Sequence, residues 1–86
     1  MSDEIQPIGE ITHYFDRIGV AAIYLQAELY LNDWIQVYGN QTNFVQQVLS
    51  MEIDRQPIEM GQPEQEIAIK LDQPARVGDY IYPYTE

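Results

Sequence analysis

The sequence predicts an all-β domain, built as a small barrel or sandwich. Apolar and polar residues alternate in short runs, most cleanly at Ile67–Ala68–Ile69–Lys70–Leu71, and a side-chain period of two belongs to a strand with one buried face. Clusters of Gly, Pro, Asn and Asp break these runs at short intervals, the punctuation expected of many short strands. Helical signals are nearly absent. Asn40–Thr42 offers the one plausible helix start, and the residues after it are β-branched and aromatic with no sustained 3.6-residue period.

Six strands follow in order. The first is predicted over Ile8–Phe15, with Ile11, His13 and Phe15 on one face and Glu10, Thr12 and Tyr14 on the other. Asp16–Gly19 reads as a turn into a second strand, Val20–Gln26, which buries Ala21, Ile23 and Leu25. A looser connection through Glu28–Asn32 leads to a third, Trp34–Tyr38, with Ile35 and Val37 inward. Gly39–Asn40 is a hairpin signal because both residue types tolerate positive φ. The fourth strand, Thr42–Asp54, changes phase: Phe44 and Val48 suit one face, Met51 and Ile53 the other. One alternation cannot serve one core across that change, so a β-bulge is expected near Leu49–Ser50. Pro57 ends or interrupts the strand. Gly61–Glu64 turns the chain into a fifth strand, Glu66–Leu71, and the last runs over Tyr80–Tyr84, with Pro83 expected at an edge. The domain spans 7–84, with short tails at 1–6 and 85–86.

Composition narrows the function. Fourteen acidic residues face only Arg17, Arg55, Lys70 and Arg76, for a net charge of −10. Proteins that bind nucleic acid draw much of their affinity from Lys and Arg on phosphates, so this balance disfavours RNA and DNA and suits a basic protein partner. The chain has no cysteine, hence no disulfide, thiolate metal site or Cys nucleophile. The longest weakly polar run, Ile18–Leu25, is far shorter than the roughly 20 residues of a membrane helix. The acidic start MSDEIQP is unlike a signal peptide. A cytoplasmic protein without a membrane partner is expected.

An internal echo is informative. Leu31–Asn32–Asp33–Trp34–Ile35 recurs as Val77–Gly78–Asp79–Tyr80–Ile81. In each copy an Asp suited to accept backbone amides closes a turn, and an aromatic–Ile pair opens a strand. Turn formation, rather than paired-carboxylate catalysis, explains the two aspartates.

The runs Ile8–Leu25 (IGEITHYFDRIGVAAIYL), Thr42–Glu59 (TNFVQQVLSMEIDRQPIE) and Glu66–Tyr84 (EIAIKLDQPARVGDYIYPY) together resemble the second, β-barrel domain of translational GTPases such as elongation factor Tu. They are also similar to free-standing elongation-factor-like proteins and to the C-terminal barrel of U32-type peptidases. The resemblance runs from Pro7 to Tyr84 and implies a closed six-stranded antiparallel barrel. It departs where the family has Gly–Asp and this chain has Asn32–Asp33, and where the family has Pro–Gly–Asp and this chain has Pro63–Glu64–Gln65. In elongation factors the barrel packs on a GTPase domain and helps to hold aminoacyl-tRNA. This chain has no G-x-x-x-x-G-K-[S/T] phosphate loop.

The expected function is therefore a non-enzymatic binding or adaptor module that docks a protein partner and uses no cofactor or metal. The alternative is a tRNA- or RNA-binding accessory domain related to translation or to RNA modification of the U32 kind. Candidate binding residues are His13, Tyr14, Arg17, Trp34 and Arg55. His13 is the single histidine, so it lacks the second imidazole or thiolate that a metal site needs. A structural role for it outweighs a catalytic one. The seven tyrosines and Trp34 suit cross-strand packing first and protein docking second.

Overall fold

In the computed structural model, which describes residues 5–85, every regular element is a strand. In chain order these are β1 (Gly9–Phe15), β2 (Val20–Leu25), β3 (Leu29–Tyr30), β4 (Trp34–Tyr38), β5 (Asn43–Gln47), β6 (Met51–Ile53), β7 (Gln56–Pro57), β8 (Met60–Gly61), β9 (Glu66–Lys70) and β10 (Tyr80–Pro83). Eight of them form one sheet in the order β5-β4-β10-β1-β2-β9-β6-β7, and β3 pairs with β8 in a second, two-stranded sheet. The inward positions Ile11, Ile23, Leu25, Ile35, Val37, Ile67, Ile69 and Ile81 are almost wholly buried. The alternation that predicted the strands thus supplies the core.

The closed six-stranded barrel is corrected. No ladder joins the outermost strands β5 and β7. Instead the sheet curls until β5 approaches β9, and the Gln46 side chain bridges the seam. Gln46, 3% exposed, donates from Nε2 to the carbonyl of Lys70 at 3.0 Å, and its Oε1 accepts the Asp72 N–H at 2.7 Å. A side-chain amide carries both a donor and an acceptor, so it can substitute for one peptide unit of a ladder.

The long fourth strand is also corrected. The phase change falls where expected, but the chain breaks over Val48–Ser50 rather than bulging, and its two halves join different partners. β5 pairs with β4, whereas β6 pairs with β9 and β7. Asp54 and Arg55 form a two-residue hairpin between Ile53 and Gln56, both at positive φ (52° and 67°), the type I′ geometry that matches strand twist. Pro57 is tolerated because β7 is outermost. β10 is an interior strand, but Pro83 pairs with Ile35 beyond the β1 ladder, which ends at Gly9↔Ile81. Its missing N–H therefore costs no bond to β1.

β1 carries a bulge that the sequence reading did not include. The register slips between Ile11↔Ile23 and His13↔Ala22. The extra residue reverses the alternation, so His13 and Phe15 face solvent and Tyr14 packs against the core. The expected grouping of His13 and Phe15 with Ile11 on a single face is overturned for that reason.

The repeated turns share one geometry. The amide of Asp33 donates to Tyr30 O at 3.1 Å and that of Asp79 to Arg76 O at 3.0 Å. Their carboxylates accept the Tyr30 and Arg76 amides, both at 2.9 Å. The third residue has positive φ in each, 76° at Asn32 and 94° at Gly78, as a type II turn requires. Gln62–Gln65 is a third copy. Gln65 N donates to Gln62 O at 3.2 Å, the Gln65 side chain accepts the Gln62 amide at 2.8 Å, and Glu64 holds φ 73°. Asn32 and Glu64 thus hold the positive φ of these turns without glycine. The tails expected at 1–6 and 85–86 fall largely outside the described residues.

Candidate functional site

Antiparallel pairing places the ends of β1, β4 and β9 and the starts of β2, β5, β6 and β10 at one rim of the sheet. This divides the candidate residues. His13, Tyr14 and Arg17 gather at that rim, around a shallow depression of about 260 Å³ on the β1–β2 hairpin. The His13 ring lies 4.3 Å from that of Phe15. Trp34, at the start of β4, and Arg55, in the β6–β7 turn, lie at the opposite rim. Of the four cationic residues, Arg17, Lys70 and Arg76 belong to the first rim and Arg55 to the second.

A larger constellation emerges on the outer face. Cross-strand register aligns Tyr38 with Tyr80, Tyr80 with Glu10, Glu10 with Tyr24, and Tyr24 with Glu66, across β4, β10, β1, β2 and β9. Directly opposed residues point to the same side of a sheet. Tyr38, Tyr80 and Tyr24 are 48%, 38% and 41% exposed. Tyr82, two residues along β10, joins the group with ring centroids 6.4 Å from Tyr38 and 6.3 Å from Tyr80. Depressions of about 250 and 580 Å³ flank the Tyr38–Tyr82 pair. The Glu66 carboxylate is oriented by the Thr12 hydroxyl, which donates to it at 2.6 Å. None of the chain's Lys or Arg residues occupies this row. Sequence reading counted these tyrosines but did not align them, because alternation assigns a residue to a face and says nothing of which strands are neighbours.

The Tyr30 phenol donates to Glu28 at 2.9 Å, and this bond, with the charge of Glu28, raises its pKa above the ordinary tyrosine value. Among the described residues no cluster of three His, Cys, Asp or Glu side chains is placed to hold a metal ion. Nor is any helix long and apolar enough to cross a membrane.

Two solved structures share this architecture. They are crystal structures of the C-terminal domain of a Geobacillus thermoleovorans protein named as a U32 peptidase, one of them the selenomethionine variant. The variant superposes with TM-score 0.84 over 90% of this chain and 98% of that domain, and the other with 0.88 over 93% of each. The fold is that of this C-terminal domain. Sequence identity is 16% to both, so the likeness is one of fold. An uncharacterized protease of Methanocaldococcus jannaschii is 30% identical over 76 residues, which is 87% of this chain but 19% of that protein. The chain thus spans about a fifth of that relative's length. No family model matches the chain.

Proposed function

We propose that the chain is a non-enzymatic docking module of the kind that U32-type proteins carry as a C-terminal domain. One observation carries this reading. The chain superposes on nearly all of a separate C-terminal domain, 98% of it, while aligning with only 19% of a protease's length. A module of this size works by presenting a rigid surface, and exposed tyrosines are suitable anchors because they bury much area at low entropic cost. We extend the proposal to a setting near the translation apparatus, as the sequence reading expects.

The test mixes the purified chain with a U32-type protein from which the C-terminal domain has been deleted. The expected result is a complex seen by calorimetry, with no peptide hydrolysis by the chain alone. Hydrolysis by the chain that is lost in His13→Ala, or no complex at micromolar concentrations, overturns the reading. The hairpin rim favours a second reading, contact with RNA through His13, Tyr14 and Arg17, with Arg55 excluded by its position at the other rim. A tRNA titration tests it, because true phosphate contacts weaken steeply with salt.

A further inference from the structure

We propose that the row Tyr38–Tyr80–Glu10–Tyr24–Glu66, with Tyr82 beside it, is a docking surface for an extended, arginine-bearing segment of a protein partner. The inference rests on the docking reading and specifies its surface and the partner's chemistry. Charge complementarity selects the occupant. The row sets two neighbouring tyrosines beside Glu10, Tyr24 and Glu66, so that each carboxylate has a π-face next to it; it contains no cation and lies on a chain of net charge −10. A guanidinium stacks on tyrosine rings and pairs through two parallel N–H bonds with a carboxylate, combining both features of the row. Lysine offers a point charge without the planar fork and binds such a site less well. A phosphate backbone is repelled by Glu10 and Glu66.

The dimensions agree. Neighbouring strands lie about 4.8 Å apart, so a row across five strands measures roughly 19 Å. An extended chain covers that distance with about six residues at roughly 3.3–3.6 Å each. Three of the ring positions are fixed in advance. Tyr82 stands 6.3–6.4 Å from the rings of both Tyr38 and Tyr80, and the depressions beside Tyr38 and Tyr82 offer room for an arginine side chain. Glu66 is likewise held in place by Thr12. Little ordering remains for binding to impose on this side of the contact.

The experiment titrates the full chain, followed by backbone amide NMR, with a six-residue peptide of alternating Gly and Arg, a Gly-Lys peptide of equal charge, and a single-stranded RNA hexamer. The arginine peptide is expected to shift amides of β4, β10, β1 and β2 and to bind at least fivefold more tightly than the lysine peptide. Tyr80→Thr and Tyr24→Thr, which keep good strand formers at both sites, are expected to weaken it at least tenfold. Glu10→Gln should weaken it severalfold, and the charge-matched control Glu59→Gln, between β7 and β8, should leave it unchanged. Equal binding of both peptides with shifts spread over the whole surface, unaltered affinity in the tyrosine variants, or RNA on this face overturns the proposal. If these peptides fail while the U32-type partner still binds, the inference falls and the docking reading stands. Failure of both ends both.

Discussion

Replacing Gln46 with Met tests whether one side chain holds the seam of the curled sheet. Gln46 bonds the Lys70 carbonyl at 3.0 Å and the Asp72 amide at 2.7 Å from a position 3% exposed. A methionine of similar length fills the space and makes neither bond. Two partly buried backbone groups then lose their partners at about 1–3 kcal/mol each. Burying a thioether in place of an amide recovers about 1 kcal/mol. The net loss is about 1–5 kcal/mol, which for a domain this small corresponds to a fall in Tm of roughly 4–40 °C. Urea unfolding followed by Trp34 fluorescence measures it, with amide hydrogen exchange at Asp72 as a local probe. Gln46→Glu adds a pH test. Its carboxylate still accepts from Asp72 N but faces the Lys70 carbonyl, an acceptor, so burial and that contact raise its folded pKa. The protonated acid donates to Lys70 O as the amide did. Relative to the native chain, the variant is therefore stable below the unfolded carboxyl value of about 4.3 and loses that stability as pH rises through its folded pKa. A Met variant within 0.5 kcal/mol of the native chain, or a Glu variant whose deficit is the same at pH 4 and pH 7, refutes the seam.

Other predictions follow from backbone geometry and charge. Glu64 holds φ 73° and Arg55 φ 67°, so Glu64→Gly and Arg55→Gly should each stabilise the fold by about 0.5–1 kcal/mol, read as a rise in the urea midpoint without a change in slope. A methyl group at position 39 would collide with the Asp79 carboxylate. Gly39→Ala therefore displaces Asp79 from the Arg76 amide and should cost about 2–4 kcal/mol in thermal unfolding. The Tyr30 phenol, held neutral by its bond to Glu28, should ionise after an ordinary tyrosine in an ultraviolet titration. Tyr30→Phe should remove that late step. The contribution of this bond to folding is complete below the unfolded value of about 10 and disappears as pH rises through the folded one.

Much of the fold was legible because it depends on neighbours in the chain. Alternation located the inward faces of β2, β4 and β9 residue by residue, since the pleat alone sets that period. Asp33 and Asp79 revealed their turns because an Asp bonding a backbone amide three residues back is a local event. The phase change between Val48 and Met51 marked the end of β5, although its form, a break that sends the two halves to different strands, was not readable. The candidate site was less visible. The Thr12 bulge that turns His13 outward arises from pairing with β2, and nothing within ITHYF announces it.

The sequence by itself determined that this chain forms short, half-buried strands with tight turns on a strongly acidic body. Those properties follow from backbone preference, side-chain period and ionisable groups, all of which act over a few residues. Only the tertiary structure decided that Gln46 rather than a ladder bridges β5 to β9, that Arg55 stands apart from Arg17, and that three tyrosines and two glutamates from five strands share one row. Each depends on which strands become neighbours and in what register. That choice is made by the burial of the whole core at once, in which residues distant along the chain compete for the same partners.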